Sequence, residues 1–296
     1  MELVSRSDVA FARQQFGVSE RRACELLLVN RSSHRYRLRA DRGAGLRTAL
    51  LASAQEYPRF GYRRLQVVLA SQGWPANHKR VWRVYRECGL SVRRHRRRHV
   101  RRPAAARPDL TGRNQEWAMD FVHDALEDGR RLRALNVIDC YTRECLAIEV
   151  RPSLSGRVVT EVLDRLIAER GQPERLRSDN GPEFTSRHYL AWCERQRIGT
   201  RYIQPGRPQQ NGHVESFNGL FRDECLNANL FRSMLEARAV TGIWRRFYNE
   251  QRPHSALGYR SPAAFAAQLP SGSATLRLQE AAPQVPSHSQ GKEVAS

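Results

Sequence analysis

Near residue 114 the hydrophobic pattern changes its period, and no other feature of the 296-residue chain limits the fold as much. Before that point apolar residues recur three and four apart; after it come apolar runs of strand length before helical spacing resumes. Glu116–His123, Arg131–Asp139 and Cys145–Arg151 read as strands, with Asp128-Gly129 as a turn between the first two. Ser155 can cap a helix striped by Val158, Val159, Val162, Leu163, Leu166 and Ile167. A short strand (Arg175–Arg177), a helix (Glu183–Arg197), a strand (Gly199–Ile203) and a helix from about Asn211 follow. Three strands and then alternation predict an α/β fold over residues 113–268, a mixed sheet with helices on its faces.

The region before it is all-α. In residues 1–40, Phe16-Gly17-Val18-Ser19 ends one helix and caps the next. The basic segment RSSHRYRLR follows after Val29-Asn30, which gives a helix-turn-helix-like pattern. A second helical unit, residues 41–92, opens with Leu46, Leu50 and Leu51. It continues through Gly61-Tyr62-Arg63-Arg64-Leu65, with Leu65, Val68 and Leu69 as a core face. After Gly73-Trp74-Pro75 and a cap at Asn77, it closes with the stripe Val81, Val84, Tyr85 and Cys88. Lys79, Arg80, Arg83 and Arg86 fill the remaining surface of that last helix. Residues 93–112 have no apolar period and read as a basic linker. The Pro/Ser/Gln-rich residues 269–296 read as a disordered tail.

The net charge of +20 is unevenly placed. Residues 1–111 hold 25 Lys and Arg against 8 Asp and Glu, a net +17, which leaves +3 for the remainder. Such asymmetry points to an arm that meets a polyanion, with nucleic acid as the natural partner, and a body with another task. Lys79, Arg80, Arg83, Arg63 and Arg64 are the candidate phosphate contacts. The six cysteines form no CxxC pair, and no uncharged apolar run has membrane-spanning length. A cytoplasmic protein with reduced thiols and no membrane partner is expected.

Three acids are placed where such a sheet could gather them. Asp120 sits inside the apolar run Trp117-Ala118-Met119-Asp120-Phe121-Val122. Asp179 ends a strand and enters Asn180-Gly181-Pro182, and Glu215 lies in the first turns of a helix. An acid in an apolar strand is costly unless paired or bound to a cation, and neighbouring carboxylates repel unless a divalent ion lies between them. Magnesium suits oxygen ligands that leave room for water and phosphate, and two such ions can serve an in-line phosphoryl displacement. Simpler roles remain open at this level: a hairpin turn for Asp179-Asn180-Gly181, a dipole-favoured first-turn acid for Glu215, and Asp139 as a rival to Asp120.

Asp179 and Glu215 are separated by 35 intervening residues. With the strings Asp179-Asn180-Gly181-Pro182-Glu183-Phe184, Asn211-Gly212-His213-Val214-Glu215-Ser216-Phe217-Asn218 and Tyr248-Asn249 through Arg252-Pro253-His254 to Ser261-Pro262, this resembles the D-D-35-E signature of the retroviral integrase superfamily and its insertion-sequence transposases. Gly61-Tyr62-Arg63-Arg64-Leu65 is similar to the segment preceding the catalytic core in downstream-frame (OrfB) products of two-frame insertion sequences.

The resemblance implies a ribonuclease-H-like core and two Mg2+ or Mn2+ ions held by Asp120, Asp179 and Glu215. It also implies strand transfer of element ends into target DNA. Arg222, two turns beyond Glu215, would contact DNA, with Asn218 along the same helix at substrate phosphates. A homo-oligomer on DNA, and an upstream-frame (OrfA) partner or fusion, are further implications, as is bacterial nucleoid association during action. No His-His-Cys-Cys zinc module precedes the core; His95 and His99 lack a cysteine pair. The competing expectation is a DNA-binding regulator with a catalytically silent integrase-like domain.

Overall fold

The computed structural model describes residues 6–36, 44–92, 110–203 and 211–269. The basic run 93–102, residues 204–210 and those after 269 lie outside the described residues.

Five strands form the expected mixed sheet: β1 (Glu116–Ala125), β2 (Arg131–Asp139), β3 (Cys145–Arg151), β4 (Arg175–Ser178) and β5 (Gly199–Tyr202), in the order β3-β2-β1-β4-β5. The first three pair antiparallel, as short loops allow. β4 and β5 run parallel to β1, and helices supply the crossovers. Alternation along β1 splits its side chains between two cores. Trp117 and Met119 join Val159, Leu163, Phe184 and Trp192 on one face, while Ala118 and Val122 join Phe217, Phe221 and Trp244 on the other.

Helix α7 (Gly156–Arg170) buries Val159, Val162, Leu163 and Leu166, and it stops at Gly171, whose φ of 85° a side chain would resist. The continuous helix expected over Glu183–Arg197 is broken in two, α8 (Pro182–Thr185) and α9 (Arg187–Gln196). Ser186 is the reason: it is extended, donates to the Glu183 carbonyl at 3.1 Å and caps α9 by accepting from Tyr189 N at 3.3 Å. α10 (Gly212–Glu224) and α11 (Met234–Glu250) cover the second face. α12 (Pro262–Ala266) packs against α11.

In the amino-terminal part, α1 (Arg6–Phe16) and α2 (Glu20–Leu26) enclose a small core of Val9, Ala23 and Cys24, and α3 (Arg31–Arg35) lies against α2. Ser19 caps α2 as expected. The basic second helix is only five residues long within the described segment, and its Arg35 and Arg31 reach back to Glu20 at 2.7 and 3.5 Å. The second unit comprises α4 (Ala44–Glu56), α5 (Tyr62–Ser71) and α6 (His78–Glu87) around Leu50, Leu65, Leu69 and Val81. Asn77 caps α6 by accepting from Lys79 N at 2.9 Å.

This second unit is seated on the sheet half. Tyr57, Phe60 and Phe247 stack with centroid separations of 4.9 to 6.4 Å. Arg252, fully buried, lies 5.6 Å from the Phe60 ring while its Nη2 and Nε donate to Glu224 at the end of α10, at 2.6 and 2.7 Å. A cleft of about 1060 Å3 opens along this seam between Gln55–Phe60 and residues of α10 and α11, remote from the carboxylates.

Candidate active site

The parallel pairing of β1 with β4 ends with Ala118 opposite Arg177. Two residues further along each chain stand Asp120 and Asp179, so strand register alone brings these carboxylates to the same sheet end. Beneath them a buried ion pair, Glu116 with Arg177 at 2.8 Å, ties the two strands together.

Glu215 arrives from the helix above. Val214, Phe217 and Phe221 point α10 into the core. Glu215, Asn218 and Arg222 are each one position further round, about 100° away at 3.6 residues per turn. They therefore line the rim of the sheet rather than its core.

Asp120 is partly buried and accepts from its neighbour Phe121 N at 2.8 Å and from Asn218 Nδ2 at 2.9 Å. Burial pushes its carboxyl up to about 6, and the like charges of Asp179 and Glu215 add to this, against the hydrogen bonds from Phe121 and Asn218. Burial also raises Glu215. Asp179 is exposed, and its Oδ1 accepts from Gly181 N at 3.1 Å. Asp120 thus lies within electrostatic reach of both other acids, yet among the described residues no group of three His, Cys, Asp or Glu side chains is closed tightly enough to hold a metal ion. The all-oxygen chemistry of the three acids fits a hard divalent cation, and Asp120 is a partly buried carboxylate that Asp179 and Glu215 repel.

Asp139, the rival for Asp120, is occupied elsewhere. Its carboxylate accepts from Asn114 N, Tyr141 N and Thr142 N, each at 2.8 Å, and so builds the turn between β2 and β3. Asn218 differs from the expectation of a free phosphate contact, because it donates to Asp120 while accepting from Asn136 Nδ2 at 2.7 Å. Arg222 donates to the His123 carbonyl at 2.7 Å and, with Asn218, borders a hollow of about 300 Å3 beside β1.

Lys79, Arg80 and Arg83 lie on the exposed face of α6, and Arg63 is exposed on α5. Arg64 is not on that face; it is half-buried with its guanidinium 5.5 Å from the Phe60 ring.

Reading by motif passes over Asn136. It is fully buried opposite Asp120 in the strand pairing, and its signal was available as a lone polar residue in the apolar run Leu135–Ile138. It passes over α11 as well, whose Ser233 cap and Glu236 three residues later form a recognisable start. The string Tyr248-Asn249 proves structural: Asn249 accepts from Cys145 N at 2.8 Å and donates to Cys145 O at 2.9 Å, pinning α11 to edge strand β3.

Residues 111–208 and 196–262 match integrase core domain families, and residues 45–98, the second helical unit, match an HTH-like domain family. An uncharacterized 31.7 kDa protein of insertion element IS407 from Burkholderia multivorans is 46% identical over 260 residues, 86% of this chain and 93% of that protein. Transposase InsD of insertion element IS2 from Escherichia coli is 29% identical over 231 residues, 72% of this chain and 75% of the relative. The catalytic core domain of HTLV-2 integrase in complex with magnesium superposes with a TM-score of 0.43 at 17% identity, covering 52% of this chain and 97% of that domain. Among the described residues no helix is long and apolar enough to cross a membrane. The chain belongs to the insertion-sequence transposases of the integrase superfamily.

Proposed function

We propose that the protein cuts DNA at the ends of an insertion sequence and joins those ends to target DNA, with Asp120, Asp179 and Glu215 as the metal-holding carboxylates. The observation that carries this reading is the convergence of three acids from β1, the β4 end and α10 on one rim, with Asp120 partly buried there. Two Mg2+ or Mn2+ ions, when bound, would supply the positive charge that activates an attacking oxygen and eases departure of the leaving one. Asp120 would hold from the sheet, with Asn218 fixing one of its oxygens. Asp179 and Glu215 would close from either side.

Water attack breaks the bond from phosphorus to a 3′-oxygen and frees a 3′-hydroxyl. That hydroxyl then bonds to a target phosphorus, and the displaced target 3′-oxygen takes up a proton. Arg222 stands on the same rim and would steady a phosphate. The exposed basic face of α6 would hold the duplex, with Lys79, Arg80 and Arg83 on phosphates and Arg63 beside them. A homo-oligomer on DNA, with or without an upstream-frame partner, follows from the need to hold two element ends.

The test is strand transfer with the element's terminal DNA and magnesium, comparing wild type with Asp179→Asn. Loss in the variant is expected, and equal activity would remove Asp179 from the site. A silent, DNA-binding regulator is the competing reading, and the open spacing of the carboxylates is the observation in its favour. DNA binding without strand transfer, in this chain and in its fusion with the upstream-frame protein, is the result that would establish it.

A further inference from the structure

Glu183 and Phe184 belong to the same string as Asp179, yet the chemistry above uses neither. Their surroundings give them a task. Arg133, on β2, reaches across β1 to Glu183, with Nη1 and Oε1 2.7 Å apart and the side chains only 21% and 15% exposed. The Arg133 guanidinium lies 4.5 Å from the centre of the Phe121 ring. Phe121 in turn stacks on Phe184 at 5.0 Å with 21° between the planes. Four side chains therefore link the residue after Asp120 to the single-turn helix α8 that follows Asp179.

A one-turn helix cannot hold itself in place, so α8 depends on such contacts. The loop before it is also crowded with negative charge. A β-carbon on Gly181 would meet Asp179 Oδ1 at 3.0 Å and Glu183 Oε2 at 3.3 Å, so both carboxylates flank the same backbone atom. Without Arg133, Glu183 would be a partly buried, uncompensated charge beside Asp179.

We infer that the Arg133–Glu183 ion pair, seated on Phe121 and Phe184, is a positioning device that holds Asp179 at a fixed place relative to Asp120. This rests on the carboxylate reading above. Neither residue touches the reacting atoms; both act through the loop. Arginine suits the position because its flat guanidinium can lie over the Phe121 ring while it binds Glu183, which a lysine cannot do equally well.

The test uses the full chain as wild type, Arg133→Gln, Glu183→Gln, the double variant, Arg133→Lys and Asp179→Asn. Two readouts are taken: Mn2+ binding by electron paramagnetic resonance, and hydrogen exchange of residues 179–186 in metal-free protein. Each Gln variant is expected to raise the half-saturating Mn2+ concentration by about 10-fold, as loss of an outer partner of metal ligands does. Each should also speed exchange of the loop. The double variant should be no worse than the poorer single one, since both remove one interaction. Arg133→Lys should fall between wild type and Arg133→Gln, and it replaces Arg133→Gln should that variant fail to fold.

Unchanged exchange in residues 179–186 would overturn the inference, as would additive losses in the double variant. A Glu183→Gln loss far exceeding that of Arg133→Gln would make Glu183 a ligand instead, and would also overturn it. Asp179→Asn separates the two readings. Should that variant bind Mn2+ like wild type, or should wild type bind none, the carboxylate assignment falls and loop exchange alone judges the clamp. Should Asp179→Asn lose Mn2+ while the clamp variants keep it, only the clamp falls.

Discussion

The sheet half and the amino-terminal helices handle charge in opposite ways. In the sheet half, several ionised and polar groups are buried and held by partners: Arg252 by Glu224, Arg177 by Glu116, Asp139 by three backbone amides, Asn249 by both backbone atoms of Cys145. In α6 the core is purely apolar, and the charges of Lys79, Arg80, Arg83 and Arg86 are turned outward. Buried charge fixes geometry at a cost in desolvation, while exposed charge offers long-range attraction with little effect on the fold. The first arrangement suits a site where atoms must be placed closely, the second a surface that must find a polyanion.

That contrast can be broken at several points. The largest effect is expected at the seam, where Glu224→Gln leaves the fully buried Arg252 uncompensated and should cost about 3–5 kcal/mol by urea unfolding. Asn249→Ala removes two buried hydrogen bonds to β3 and should cost about 2 kcal/mol, accompanied by faster hydrogen exchange at Cys145.

His254 gives a pH signature. Burial, with Arg252 and Arg64 nearby, lowers it to about 3 in the fold. It stays neutral in the fold while the unfolded chain takes up a proton near 6.5, so its contribution is complete above that pH and is lost as pH falls towards 3. Replacing it by Gln should flatten the acid side of the stability curve by at most about 1.4 kcal/mol per pH unit.

At the other extreme, Arg83→Ala on α6 should change unfolding by less than about 0.5 kcal/mol. It should nevertheless lower the slope of DNA affinity against salt by about 1. A large stability loss there would mean that the two regions do not differ as described.

Much of this was legible before any coordinates. β2 and β3 have the bounds read from the sequence, Arg131–Asp139 and Cys145–Arg151, and the sheet is mixed as three strands followed by alternation imply. Asp120 was legible because an acid in an apolar strand is conspicuous. What could not be read is long-range. Nothing local in Arg133 says that it crosses a strand to meet Glu183, and nothing in Arg64 distinguishes it from the exposed Arg63 until Phe60 is in place. The broken helix at Ser186 is not apparent in the sequence because its apolar stripe runs on through the break, and Gly156, where a β-carbon would lie 2.5 Å from Ser186 Oγ, leaves room for that serine.

The stack of Tyr57, Phe60 and Phe247 has a consequence for how far the protein can measure. Because Phe60 lies against Arg252, and Arg252 grips the end of the helix bearing Glu215, the α4–α5 loop is tied to the helix that brings Glu215 to the carboxylate rim. A duplex lying on α6 would then meet the rim of the same chain at a set number of base pairs from the bases it is gripped by. The protein would act as a ruler, and inserting or deleting a single pair between those points should shift the cut rather than be absorbed by a swivel.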